Sequence, residues 1–294
     1  EIRNCDWSSD VCSSDLASAL NSMGSIAARS GKLSQAEELF AQALPLWRAV
    51  GDPRGEAVTL SNLGFVADSQ GQKRRALDLY GRSRALWHAL GDKRAEATAL
   101  SDLAGVHASL GDANLALKFH LDALPLRQAS GDKRGEASTL NNLGGLYLNA
   151  GQKAQAIDAY ARALDLRREV GDKRGEAVTL GNLAFARQSQ GEFRAALPLY
   201  QQSLQLAQAA RDKSRIAGSL SGLGESHAAL RELPQARDAF EQALALWREL
   251  KDRERETATL AQLARLYASL GDRQKAADAY RQSLAVWKLR VPAK

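Results

Sequence analysis

Side-chain amides recur in this 294-residue chain at a fixed interval. Asn62, Asn142 and Asn182 fall in one register of a 40-residue period, with Asp102 in the same column and Ser22, Gly222 and Gln262 completing it. An amide carries both a donor and an acceptor. A ladder of amides can therefore pair with the backbone of an extended peptide at regular intervals, whatever that peptide's sequence. The alternative is that these side chains hydrogen-bond between neighbouring units of the chain and order the array. The two roles can coexist. Three residues on, a second column holds Phe65 and Phe185, with Gly105 and Gly145 between them and Glu225 and Arg265 beyond. Rings on an open face would anchor a ligand's apolar side chains; packing between repeats is the other reading.

Catalytic chemistry has few candidates. The four histidines are His88, His107, His120 and His227. His120 stands where other repeats place an aromatic residue, so packing is its expected role. His107 and His227 share a column but are separated by three whole repeats, too far to share a metal. There is no His-Glu-x-x-His, no glycine-rich phosphate loop after a strand and no convergent Ser/His/Asp set. The Gly-Asp pairs lack the alternating ligands of a calcium loop. The expectation is a chain that is not an enzyme and needs no metal or cofactor.

The elements that position these columns follow from the period itself. Gly51, Gly91, Gly131 and Gly171 recur every 40 residues, as do Leu63 to Leu263 and Ala36 to Ala276. A period between 20 and 50 residues signals a solenoid of one supersecondary unit. In residues 52–91, Asp52 is a good N-cap and Pro53 fits the first helical position. Apolar or small residues at Ala57, Leu60, Leu63, Gly64 and Ala67 mark one helix face, and Gly71 ends the helix. A second helix runs from about Lys73 to Leu90, with Ala76, Leu77, Tyr80, Ser83, Leu86 and Trp87 inward. The Gly64 column is always Gly or Ala. Mid-helix Gly costs about 1 kcal/mol against Ala, so its recurrence implies close approach of two helices, with the Tyr80 column filling the space beside it. Helices are expected at 17–30, 33–50, 53–70, 73–90 and onward at that spacing.

The pattern Leu-x-x-Leu-Gly/Ala…Ala-x-x-x-Tyr/Phe-x-x-Ala/Ser resembles the tetratricopeptide repeat, in a long 40-residue form like that of bacterial multi-repeat proteins; the wording of residues 131–144 carries the likeness most plainly. The resemblance spans residues 17–290 as one domain, with repeats 17–50, 51–90, 91–130, 131–170, 171–210, 211–250 and 251–290 and a tail at 291–294. It implies an all-α, right-handed α-solenoid of seven antiparallel helix hairpins. It also implies that the first helix of each hairpin lines a concave groove that binds protein or peptide. Asn62, Asp102, Asn142, Asn182, Gln262, Phe65, Phe185, Glu225 and Arg265 are then the expected peptide-binding residues. In relatives, arrays with this wording often precede a protease or signalling output domain, so a regulatory region of a larger protein is the alternative function.

Composition narrows the partners. Hydrophobic residues are 45% and aromatics 6% of the chain, so Ala and Leu build the core. The net charge of +6 comes from 40 basic and 34 acidic residues. The basic loop column Arg54, Arg94, Arg134 and Arg174 has a Glu two residues later in each case, so local pairing is expected and nucleic acid is not. No apolar run reaches the length of a membrane span. The only cysteines, Cys5 and Cys12, precede the periodic body. Residues 1–16 break the period at one point, between Leu16 and Ala17, and Asp6 to Leu16 resemble a translated sequencing adapter. The segment reads as non-native, which leaves location open, with the cytoplasm favoured. Repeat six is expected to be the weakest, with Arg211 and Arg231 in place of loop glycines and Gly218 and Gly222 inside a helix. At the far end, Val286, Trp287 and Leu289 leave an apolar edge, for which continuation of the array or end-to-end self-association is the expectation.

Overall fold

The computed structural model describes residues 10–289, and these form fourteen α-helices with no strand among them. They are α1 Asp10–Arg29, α2 Leu33–Ala49, α3 Pro53–Ser69, α4 Lys73–Ala89, α5 Lys93–Ser109, α6 Ala113–Ala129, α7 Lys133–Asn149, α8 Lys153–Glu169, α9 Lys173–Ser189, α10 Phe193–Ala209, α11 Lys213–Ala229, α12 Leu233–Glu249, α13 Arg253–Ser269 and α14 Arg273–Lys288. The expected spacing holds throughout. At the N-terminus α1 begins at Asp10, ahead of the expected Ala17, because Val11 to Leu16 contain no helix breaker and continue the helix outward. The earlier part of the suspected foreign segment, residues 1–9, and the tail after 289 lie outside the described residues.

The chain divides into two compact units, Glu1–Thr139 and Leu140–Lys294. In the first, α1 pairs with α2, α3 with α4 and α5 with α6 as antiparallel hairpins; in the second, α9 with α10, α11 with α12 and α13 with α14. Each unit is a run of the α-solenoid's repeating hairpin.

Local chemistry sets the helix ends. Asp52, Asp92, Asp172, Asp212 and Asp252 each accept a hydrogen bond from a backbone N–H in the first turn of the following helix. This satisfies donors that the helix start leaves open. Each of α1 to α13 is followed by a left-handed residue. Glycine fills that position at most turns, but Arg211, Arg231 and Lys251 adopt φ of 54°, 63° and 56°.

The small column works as expected. A Cβ on Gly64 would lie 2.8 Å from the Tyr80 ring, and one on Gly144 would lie 2.7 Å from Tyr160. Aromatic rings therefore press against the backbone of the partner helix at these glycines. The cores follow from this contact: Phe40, Leu60, Leu63, Val66 and Tyr80 in the first unit, and Tyr160, Leu164, Leu180 and Leu183 in the second.

One expectation about the loops is corrected. Two of the column's four arginines pair with the next turn instead of the Glu two residues on: Arg54 reaches Asp92 at 3.3 Å and Arg94 reaches Asp132 at 3.5 Å. The glutamates take partners from the preceding helix, as in Arg48–Glu56 at 2.7 Å and Arg168–Glu176 at 3.0 Å. Residues 38 or 40 apart in sequence are neighbours in a stack of hairpins, so pairing along the stack competes with pairing along the chain.

Candidate functional site

The second unit carries a cleft of about 580 Å³ on the face shared by α9, α11 and α13. It exists because side chains are missing. Gly181, Gly218 and Gly222 line it, at columns that elsewhere hold Ser, Asn or Ala; Ser, Val, Thr or Ala; and Ser, Asn, Asp or Gln. A Cβ on Gly218 would meet nothing within 4 Å. Tyr200, Ser203, Ser219, Phe240 and Trp247 also line the cleft and are all buried, so they form its floor.

Four of the residues expected from sequence meet here: Asn182, Phe185, Glu225 and Gln262. Phe185 is 53% exposed, an accessible ring at the rim. Glu225 is held by Gln188, whose Nε2 donates to it at 2.6 Å, and Gln188 Oε1 accepts from the Tyr200 hydroxyl at 2.7 Å. Burial, reinforced by the Glu225 charge, pushes the Tyr200 phenol far above its usual range, so it remains a donor. Two arginines complete the wall. Arg255 stacks its guanidinium 4.7 Å from the Trp247 ring centre. The Arg215 Nε makes no hydrogen bond and lies 3.5 Å from Asp212. The cleft thus combines an apolar floor, an exposed ring, amides and both signs of charge.

The arginines follow a rule along the chain. At the ends of α2, α6 and α8 a bulky residue faces a glycine eight positions later: Trp47 with Gly55, Arg127 with Gly135, Arg167 with Gly175, whereas Trp247 at the end of α12 faces Arg255. A Cβ on Gly175 would sit 1.7 Å from Arg167 Nη1. Arg167 bonds Asp172 at 2.5 Å, and Arg127 likewise bonds Asp132. In repeat six the sizes reverse. Ala207 is the small member, and Arg215 turns to its own capping residue, Asp212.

The remaining expected residues are distributed. In the first unit, Asn62 and Asp102 are half-buried on α3 and α5, and Phe65 is 52% exposed. Burial raises the Asp102 carboxyl to about 6; Arg127 opposes the rise and Asp68 adds to it. In the second unit, Asn142 and Arg265 are exposed outside the cleft. The amide column splits between its two readings. Asn62 and Asn142 make no side-chain hydrogen bond among the described residues, whereas Asn182 Nδ2 donates to Asn141 Oδ1 at 3.0 Å across hairpins. A neighbouring column does most of this ordering. Asn21 Nδ2 donates to Thr59 at 2.8 Å, and Thr179 donates to Asn141 at 3.3 Å. The signal was an Asn followed 38 residues later by a Thr, visible in sequence only once hairpin stacking is assumed.

His88, His107 and His227 have local partners. His120 is buried and its pKa is lowered to about 4, chiefly by burial. His107 stacks on Phe119 with centroids 5.4 Å apart, and His227 pairs with Glu232 at 2.6 Å. Among the described residues no group of three His, Cys, Asp or Glu could hold a metal, and no helix is long and apolar enough to cross a membrane.

Known structures share this architecture. The chain is similar to the STAND-type signal-transduction ATPase with a tetratricopeptide repeat sensor from Pyrococcus horikoshii, at 18% identity and a TM-score of 0.81 over 92% of this chain and 42% of that one. It is similar to apo RapI at 16% identity and a TM-score of 0.72, covering 92% and 97%. It is also similar to a Rap protein complexed with competence and sporulation factor, at 15% identity and a TM-score of 0.61, covering 92% and 74%. No curated protein sequence matches the chain. The tetratricopeptide repeat profile matches residues 15–89, 95–169, 135–209 and 215–288. With both the hairpin geometry and the repeat profile extending along the chain, it belongs to the tetratricopeptide repeat family.

Proposed function

We propose that this chain is a protein-binding scaffold that holds an extended peptide segment along its odd-numbered helices, anchored in the cleft of the second unit. The observation that carries this reading is the convergence of Asn182, Phe185, Glu225 and Gln262 on one cavity of about 580 Å³. That volume falls within the range of ligand sites, roughly 300–1,000 Å³, and exceeds what one side chain fills. Asn142 and Arg265 are assigned as further contacts in the second unit, and Asn62, Asp102 and Phe65 as a peptide-contacting surface of the first unit in its own right. The likeness to a Rap protein solved with competence and sporulation factor supports a peptide as the occupant.

The test is selection of peptides from a random display library on the intact chain. Peptides that use the cleft lose binding on Gly218→Leu, whose side chain starts in open space on the cleft wall, and on Phe185→Ala. Selected peptides indifferent to both variants would place binding elsewhere. The second reading, a sensor region of a larger signalling protein, is favoured by the likeness to the sensor-bearing ATPase of which this chain spans 42%. An output domain encoded in the same reading frame would establish it.

A further inference from the structure

The two terminal helices expose stripes that inside the array are buried against each other. On α1, Ala19, Met23 and Ile26 lie at i, i+4 and i+7, one face of a helix. Met23 is 53% and Ile26 63% exposed, whereas their equivalents Leu263 and Leu266 are 3% and 4% exposed. On α14, Tyr280, Leu284 and Trp287 repeat that spacing, at 47%, 52% and 50% exposed. Their equivalents Phe240, Leu244 and Trp247 are at most 8% exposed.

These columns are partners. Phe240 and Leu244 of α12 form one core cluster with Leu260, Leu263 and Leu266 of α13. The same columns meet as Phe40 with Leu60, Leu63 and Val66, and as Tyr160 and Leu164 with Leu180, Leu183 and Ala186. Among the described residues nothing covers either terminal stripe. We propose that α14 of one copy docks on α1 of a second copy, repeating the contact that joins each hairpin to the next. The occupant is a second copy because each end carries the column set that the other end's set packs against.

The joint lacks one feature of the internal contacts. Inside the array, Arg48 pairs with Glu56 and Arg248 with Glu256 at 2.7 and 2.9 Å. At the joint those columns hold Lys288 and Leu16, so the ion pair is absent and the apolar stripes act alone. The association is therefore weaker than an internal contact and depends on protein concentration. The contact is also heterologous, using different patches on the two copies, and so leaves a free end on every assembly unless a ring closes.

The experiment is sedimentation of the full chain at increasing concentration, up to about 1 mM, a weak-binding limit. The weight-average mass is expected to rise past that of a dimer. Ile26→Glu blocks the α1 end and Trp287→Glu the α14 end; both positions are exposed, and circular dichroism confirms that each variant folds. Each variant alone is expected to stay monomeric. Mixed, they form a two-copy complex and nothing larger, since one supplies a free α14 and the other a free α1. A monomeric parent at 1 mM overturns the proposal. So does Ile26→Glu dimerising alone, which would mean symmetric pairing of α14 helices. Should Ile26→Glu misfold, Met23→Lys tests the same end.

Discussion

A Cβ placed on Gly222 would lie 2.3 Å from Cζ of Tyr200, so the ring occupies the volume where other repeats carry a Ser, Asn, Asp or Gln side chain. In the hairpins of α3 and α7 the equivalent ring lies on a mid-helix glycine, Gly64 or Gly144. In the fifth repeat that position is Ala184, which shares a core cluster with Tyr200, and the ring also presses on Gly222 of the next hairpin. Its hydroxyl bonds Gln188, which also holds Glu225 at the cleft. The shape of the cleft therefore depends on two size changes in different helices.

Two glycines on α11 should respond to alanine with opposite signs. Gly218→Ala has open space, and it should stabilise the chain by about 1 kcal/mol through helix propensity. Gly222→Ala gains the same propensity but strikes the Tyr200 ring, and overpacking of this kind costs about 1–3 kcal/mol. Chemical denaturation of both variants reads the difference directly. Equal stabilisation by the two would mean that the ring relocates freely.

The size rule linking even and odd helices predicts a rescue. Gly175→Arg alone should strongly destabilise the second unit, because its side chain would enter the space of the Arg167 guanidinium. Adding Arg167→Ala recreates the native Ala207 and Arg215 combination, and most of the loss should return. A double-mutant cycle measured by denaturation gives a coupling of at least about 1 kcal/mol if the rule holds.

Three turns carry a removable strain. Arg211, Arg231 and Lys251 sit in the left-handed region, where a residue with a Cβ costs roughly 1–2 kcal/mol relative to glycine. Replacing each by Gly should raise the denaturation midpoint. The unfolded chain's greater freedom with glycine offsets part of the gain. No change at all three would mean that side-chain contacts compensate.

The first unit should show two opposed pH effects. Asp102 has its pKa raised to about 6 by burial, so the folded chain keeps a proton that the unfolded chain has released. Stability from this group falls as pH rises from about 4 to about 6. Asp102→Asn should therefore stabilise the chain at neutral pH, and the advantage should vanish by about pH 4. His120 works the other way. Its pKa is lowered to about 4, so the unfolded chain takes up a proton first, and stability falls as pH drops below about 6.5. His120→Phe should remove that acid-side loss. Melting curves across this range separate the two.

The amide column should separate by position. Asn182 donates to Asn141 across hairpins, so Asn182→Ala should cost about 1 kcal/mol of stability. Asn142 makes no such bond, and Asn142→Ala should leave the melting temperature unchanged. A selected peptide that runs along α7 and α9 should lose affinity with both variants. Loss with Asn182→Ala alone would assign the column to scaffolding.

The sequence by itself determined the helices, their ends and their pairing. The reason is local: Asp caps, Gly stops and a 3.6-residue apolar rhythm act within one hairpin, and the period repeats that chemistry to the C-terminus. The Gly64 column likewise announced a close helix contact, because a costly residue recurs only where it is needed. The amide and ring columns were legible as registers, and Asn182, Phe185, Glu225 and Gln262 line one cleft. The cleft itself was decided by tertiary structure. Gly181, Gly218 and Gly222 lie on two helices, and in sequence the two on α11 read as weak points; stacking brings all three to one cavity, with open space at Gly218 and the Tyr200 ring against Gly222. The loop arginines show the same limit. Arg54 is two residues from Glu56 and 38 from Asp92, yet it reaches the aspartate, because in a stacked array distance along the chain no longer measures distance in space.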